Sequence, residues 1–147
     1  MANILDPEEL KKQYQRGKKI FDGVDLSTAN LDGFELTRAS FKGANFRHTS
    51  LVLSYLTRVD LSGANLAQAY LNQANLVGAN LTGASLKEAY LIGAILLEAT
   101  LFKADLSGAI LIGANLFRAD FNGAYYDKNT QFDDSFDPIK AGMQKIS

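Results

Sequence analysis

From Phe21 to Phe121 every fifth residue is Leu or Phe, twenty-one positions in unbroken succession. Two residues before most of them stands Ala or a small substitute, and thirteen consecutive pentads, from Ala64 to Ala124, keep Ala there without exception. The positions between are mostly polar, as in A-N-L-A-Q, A-N-L-V-G and A-N-L-T-G. An α-helix turns about 140° in five residues, which would scatter the leucines around its axis. On a flat strand, odd steps alternate faces, so half the leucines would point to water. The apolar positions in fact recur at spacings of two and then three: Ala64, Leu66, Ala69, Leu71, Ala74, Leu76. A spacing of two holds both side chains on one face of a short extended segment. A spacing of three needs one extra residue, which a tight corner absorbs. The pattern predicts a solenoid that runs a short straight side, turns, and repeats.

The corner residues agree. Gly23, Gly33, Gly43, Gly63, Gly78, Gly83, Gly93, Gly108, Gly113 and Gly123 all fall two residues after a central Leu or Phe. Glycine there tolerates the positive φ that many tight turns require. Asn45, Asn65, Asn75, Asn80 and Asn115, with Asp25, Asp60, Asp105 and Asp120, stand just before the central residue. Short polar side chains at such places bond nearby backbone, so their role is read as structural.

With these residues in view, the chain resembles the pentapeptide-repeat proteins, whose motif is A(D/N)Lxx, over most of its length. The resemblance implies an all-β solenoid: a right-handed quadrilateral β-helix with four pentads per coil and about five coils. Residues twenty apart then stack at about 4.8 Å, giving a rod roughly 25 Å long. One interior column would hold Phe21, Phe41, Leu61, Leu81, Leu101 and Phe121, and another Leu26, Phe46, Leu66, Leu86 and Leu106. Val24, Phe34, Thr49, Ser54 and Val59 replace Ala in the early pentads. Phe34 is the bulkiest of these, and small Ser54 one coil above it compensates in packing.

A stack of repeats leaves apolar residues and unpaired backbone at both ends, so capping segments are expected. Asp6-Pro7-Glu8-Glu9 reads as a helix start, with Asp6 as N-cap, Pro7 in the first turn and Glu9 closing a capping box. A short capping helix over about residues 7–16, ended by Gly17, would place Leu10 and Tyr14 on one face over the first coil. At the other end Asp137-Pro138 predicts a second short capping helix, with Phe132, Phe136, Ile139, Met143 and Ile146 as its apolar series. The expected organisation is an N-terminal capping segment (1–20), the repeat β-helix (21–126) and a C-terminal capping segment (127–147). ELKKQYQRGKKIFDG and YDKNTQFDDSFDPIKAGM resemble end segments of cyanobacterial pentapeptide-repeat proteins, which implies a complete small protein.

Composition narrows the chemistry. The chain of 147 residues contains no Cys, which excludes disulfides and thiolate metal sites. Its start, MANILDPEELKKQY, lacks the basic-then-apolar pattern of a signal peptide. No apolar run reaches the ~18–20 residues of a membrane span, so a cytoplasmic protein is expected. His48 is the single histidine, with no second His or Cys to share a metal. Glu88 and Glu98 lie half a coil apart on opposite faces, while Asp105 and Glu88 share a face where they could approach, as many surface pairs do. The glycines keep one repeat phase and form no phosphate loop. No cofactor, metal or catalytic site is expected, and the protein reads as a non-enzyme.

The outward positions are uneven. Stacking by twenty puts Tyr70, Tyr90 and Ile110 in one outward column, with Ile92 and Ile112 beside it. The adjoining face adds Tyr55, Ile95, Val77, Leu97 and Phe117, and Phe102 lies on a third. Such apolar faces mark a contact site for a protein partner or a second copy. Two competing readings are a stabilising ladder of tyrosines and β-branched residues, and cover by the C-terminal segment. The resemblance also implies an alternative, because some members of the family mimic B-form DNA and bind topoisomerases. Residues 21–126 hold nine acids against seven bases, so the coil carries a net charge near −2. DNA carries one negative charge about every 1.7 Å of axis, which disfavours mimicry. The bases dominate no face, which speaks against direct nucleic-acid binding.

Overall fold

The computed structural model describes residues 3–146. Met1, Ala2 and Ser147, the outermost residues of the expected end segments, lie outside this range. Each corner is a hydrogen-bonded turn in which the central residue's carbonyl accepts from the N–H three residues on, as in Ala44 to Phe41 (3.0 Å) and Ala79 to Leu76 (3.0 Å). Positive φ falls at the second residue after the centre and not at the first, which defines a type II turn. The ten glycines singled out by phase all adopt it, from Gly23 (φ 73°) to Gly123 (φ 71°). Eleven other residues do the same, among them Arg38 (65°), Leu53 (59°) and Glu88 (57°). The turn is therefore imposed by the stack, and glycine eases it where present.

Between corners each coil bonds to the next. The N–H groups of Leu66 and Gln68 donate to the carbonyls of Ser85 (2.7 Å) and Lys87 (2.8 Å), and Asn65 N–H donates back to Ala44 (2.9 Å). The paired residues form four parallel series. The first side runs Ile20–Ser40–Asp60–Asn80–Thr100–Asp120 and the second Asp25–Asn45–Asn65–Ser85–Asp105–Tyr125. The third runs Asn30–Ser50–Tyr70–Tyr90–Ile110–Gln131 and the fourth Glu35–Tyr55–Asn75–Ile95–Asn115. Pairing is one residue wide on most sides. Among the described residues only β1 (Tyr125–Tyr126) and β2 (Gln144–Lys145) pair over two residues, in parallel.

The interior follows from the two-three spacing. Every central residue from Phe21 to Leu111 is buried, as is every Ala at the small inward sites from Ala64 to Ala109. Phe21 stacks on Phe41 (centroids 5.3 Å), and Phe41 meets Phe46 edge-on (5.2 Å). The two polar substitutes are buried but satisfied: Thr49 Oγ1 donates to the Leu26 carbonyl (2.7 Å) and Ser54 Oγ to that of Leu51 (2.6 Å). Phe34 is only half-buried at the start of the stack, which relieves the volume it adds.

The N-terminal helix α1 spans Pro7–Gln15, and the Asp6 carboxylate accepts from Glu8 N–H (3.1 Å) and Glu9 N–H (3.3 Å). It ends in a Schellman motif: Lys18 N–H reaches the Gln13 carbonyl (3.0 Å), Gly17 N–H that of Tyr14 (2.9 Å), and Gly17 has φ 99°. The expected capping box does not close. Glu9 Oε1 instead accepts from Gln13 Nε2 one turn on (3.0 Å). Leu10 is fully buried in the core, and the Tyr14 hydroxyl donates to the Thr37 carbonyl (2.8 Å).

The second capping helix, expected from Asp137-Pro138, is absent; α1 is the only α-helix among the described residues. Ala141 N–H reaches Asp137 (3.1 Å) and Met143 N–H reaches Pro138 (3.0 Å), a single turn. The physical reason is competition from the stack: Gln144 and Ile146 N–H groups donate to Ala124 and Tyr126 (both 2.8 Å), so the chain leaves the turn through Gly142 (φ 87°) and rejoins the ladder as β2. The Asp127–Thr130 loop replaces a regular corner. Asp127 Oδ1 accepts from Gly108 N–H (3.0 Å), and Thr130 Oγ1 donates to the Leu106 carbonyl (3.0 Å). Phe132 and Phe136 then pack on Tyr126 (6.0 Å) and Phe121 (5.2 Å), closing the core.

Candidate functional site

Most Asn and Asp residues flanking the centres act as the turn chemistry predicts. Asn65, Asn75 and Asn80 each accept the N–H two residues on, from Ala67 (3.0 Å), Val77 (3.1 Å) and Thr82 (3.0 Å). That N–H follows the central residue, points outward and takes no ladder bond. On the first and second sides aspartate does the same work, Asp60 toward Ser62 (3.0 Å) and Asp105 toward Ser107 (2.9 Å), and each also pairs with a lysine across coils. The pairs are Lys42–Asp60 (3.7 Å) and Lys87–Asp105 (3.6 Å), so Asp105 faces a cation and not Glu88.

The apolar outward residues depart from this economy. Ile95 stands where Asn75 and Asn115 stand in the neighbouring coils, and the Leu97 N–H has no acceptor among the described residues. Ile110 leaves the Ile112 N–H equally open, as Ser85 and Thr100 leave those of Lys87 and Phe102 among the described residues. Each departure forgoes a hydrogen bond worth about 0.5–1.5 kcal/mol. The aromatic ladder returns part of this, since Tyr70 and Tyr90 stack nearly parallel (3°) with centroids 5.0 Å apart.

Tyr70, Tyr90 and Ile110 lie on the third side and Ile95 on the fourth, with Ile92 and Ile112 on the corner between them and Leu97 and Phe117 on the corner that follows the fourth. Phe117 is 62% exposed and Ile92 46%, whereas Leu97 and Ile110 are half-buried. The C-terminal segment therefore does not bury this surface. Tyr55 (52% exposed) is set apart from Ile95 by Asn75 in its own column. Leu53, on the corner between the two sides and 56% exposed, is missing from the sequence-derived set. Its signal was available: it is a Leu at the phase where glycine or a polar residue otherwise stands.

Two carboxyls depart from their usual titration. The hydroxyl and amide of Ser27 hold Asp25 below the ordinary carboxylate value. At Asp127 burial acts in the opposite direction, but hydrogen bonds from Asn129, Gly108 and Thr130 outweigh it and the pKa is lowered. Both are turn-fixing interactions. His48 lies on an exposed corner beside Arg47 Nε (3.4 Å), and no group of His, Cys, Asp or Glu among the described residues is placed to hold a metal. No helix among them is long and apolar enough to cross a membrane.

These features define a four-sided parallel solenoid whose sides differ chiefly in what they present outward. The pentapeptide repeats family model matches in eight copies over residues 20–58, 60–96 and 84–123. The chain belongs to the pentapeptide repeat family, and its fold is that family's right-handed quadrilateral β-helix. It is similar to a pentapeptide repeat protein from the cyanobacterium Cyanothece 51142, at 27% identity over 86% of this chain and 98% of the other, with a TM-score of 0.71. A pentapeptide repeat protein from Nostoc Pcc 7120 is 30% identical over 99% of this chain and all of the other, with a TM-score of 0.33. QnrB1, a plasmid-mediated fluoroquinolone resistance protein, is 14% identical over 98% of this chain and 89% of its own, with a TM-score of 0.50, and shares the fold alone. No curated protein matches the sequence at a significant level.

Proposed function

We propose that this protein is a non-enzymatic binding or scaffold protein of the cytoplasm. It docks a protein partner, or a second copy of itself, through the late-coil apolar surface on the third and fourth sides. The supporting observation is the cluster of exposed Ile92, Ile95, Ile112 and Phe117 beside the Tyr70–Tyr90 stack, with Ile95 standing where its column otherwise carries Asn75 and Asn115. Exposed Ile and Phe at positions that need only a polar residue to serve the turn fit recognition better than upkeep of the fold. The test is a double variant, Ile92→Asp with Leu97→Asp, compared with wild type by cell-extract capture and by sedimentation velocity. Loss of a specific protein or of self-association supports the reading; unchanged association by both measures refutes it.

The alternative, a DNA-mimicking regulator of a topoisomerase, draws on the shared fold with QnrB1 only. The charge balance of nine acids to seven bases over 21–126, with Asp60 and Asp105 paired to lysines, gives it little support. A supercoiling assay in which high protein concentration leaves gyrase uninhibited disposes of it.

A further inference from the structure

The C-terminal segment pairs with the second and third sides, meets the first through a single bond that leaves the Phe121 N–H open among the described residues, and skips the fourth. On the third side Gln131 pairs with Ile110, on the second β2 pairs with β1, and on the first Gly123 N–H donates to the Gly142 carbonyl (3.0 Å). On the fourth side the ladder stops at Asn115. The rule one coil earlier is plain: Leu96 and Glu98 N–H groups donate upward to Asn115 (2.8 Å) and Phe117 (3.0 Å), and Asn115 N–H donates down to Ala94 (2.9 Å). The corresponding groups of the last coil are the N–H of Leu116, the N–H of Arg118 and the carbonyl of Ala114. None has a hydrogen-bond partner among the described residues. Above them lies a cleft of ≈ 360 Å³ lined by Ala114, Leu116, Phe117, Asp133, Ser135 and Phe136. Leu116 is the one central leucine left half-buried.

We propose that this slot takes one extended strand from another protein, which completes the missing side of the final coil. It adjoins the apolar faces, sharing Phe117 with them, but rests on the open backbone groups and not on the apolar side chains. Unpaired N–H and C=O groups at ladder spacing are matched by an extended backbone, the mode of β-strand addition. The slot is recessed by one layer between neighbours that carry Asp133 and Gly142, so it admits a single strand and not the flat end of another rod. Head-to-tail stacking of a second copy is further opposed by α1, whose Leu10 plugs the opposite end and whose Tyr14 already occupies the Thr37 carbonyl. Charge sets the direction. A strand parallel to Ala114–Arg118 begins beside Asp133, which accepts from Gly113 N–H (3.0 Å), and ends over Arg118, whose guanidinium lies on the Phe117 ring (5.2 Å). The complementary strand has Lys or Arg at its start, an apolar residue over Leu116 at its centre and an acid at its end.

The probe is the capped hexapeptide acetyl-Lys-Ala-Thr-Leu-Thr-Glu-amide, added to the full chain and followed by amide NMR and hydrogen exchange. In the free protein the Leu116 and Arg118 amides exchange faster than those of Leu96 and Glu98. The peptide slows both by about tenfold or more, as expected for amides entering a ladder. The charge-reversed peptide, with Glu first and Lys last, binds more weakly, and N-methylation of the first Thr, whose N–H would reach Ala114, abolishes binding. Protection of Leu116 and Arg118 without peptide overturns the proposal, because the chain itself then closes the slot. So does concentration-dependent protection that tracks dimer formation, or equal binding of the N-methylated peptide. Failure of all millimolar peptide to shift these amides overturns it too, and leaves the Ile92/Leu97 test unaffected.

Discussion

Gly83 and Gly142 both take positive φ, at 65° and 87°, but in different surroundings. A Cβ at Gly83 would meet nothing within 4 Å, so Gly83→Ala carries only left-handed backbone strain, about 1 kcal/mol. A Cβ at Gly142 would press on the Asn122 amide oxygen and lie 3.4 Å from its Cα, where the chain re-enters the ladder. Strain and overpacking together make Gly142→Ala cost about 2 kcal/mol or more. Urea unfolding of the two variants checks the difference, and equal losses would show that contact at Asn122 is irrelevant. The same turn explains how much of the residue scale was legible. Glycine phase announced the positive φ, but Leu53, Arg58 and Glu88 adopt it without that signal because neighbouring coils fix their backbone on both sides. The exposed Leu53 was overlooked for this reason: it sits at a position that the five-residue beat treats as punctuation.

At the scale of elements, local signals succeeded where no stack competed. The Asp6-Pro7 start and Gly17 stop define α1 because its first and last turns are satisfied by their own residues. Asp137-Pro138 is an equally good start, yet Gln144 and Ile146 are drawn to the open carbonyls of Ala124 and Tyr126. A tertiary edge overrides a helix signal, and sequence periodicity gives no warning of it. The Asp127–Thr130 loop was hidden for a related reason: it interrupts the beat with polar residues that resemble any surface loop until Gly108 and Leu106 are placed beneath it. It also carries a pH signature. The Asp127 pKa is lowered from 3.8, so its stabilising contribution is complete above pH 3.8 and is lost as pH falls through the depressed folded value. Asp127→Asn, which cannot ionise, therefore flattens the loss of stability below pH 3.8 relative to wild type. Thermal unfolding of both proteins across that acid range checks the sign; parallel curves would remove Asp127 from the account.

For the whole molecule the relevant fact is that no coil buries its own leucines. Leu76 is closed in by the coils on either side, and outside the turns each coil's ladder N–H groups find their acceptors in the coils before and after it. Stability is then the sum of weak single coils and strong interfaces, so a short stack opens as one unit through its middle and frays at an incomplete end. Leu76→Ala costs about 2–5 kcal/mol, the range for a fully buried leucine. Because opening there divides the rod, it raises amide exchange by a similar factor at Leu56, Leu76 and Leu96, well beyond its own coil. Leu116→Ala, at a half-buried site with an open edge above it, costs about 1 kcal/mol. Its effect on exchange stays within the last coil and the Phe132–Phe136 closure. Native-state hydrogen exchange on both variants separates the cases. If Leu76→Ala accelerated exchange only next to itself, the coils would be independent units and the rod could not present its third and fourth sides as one rigid surface.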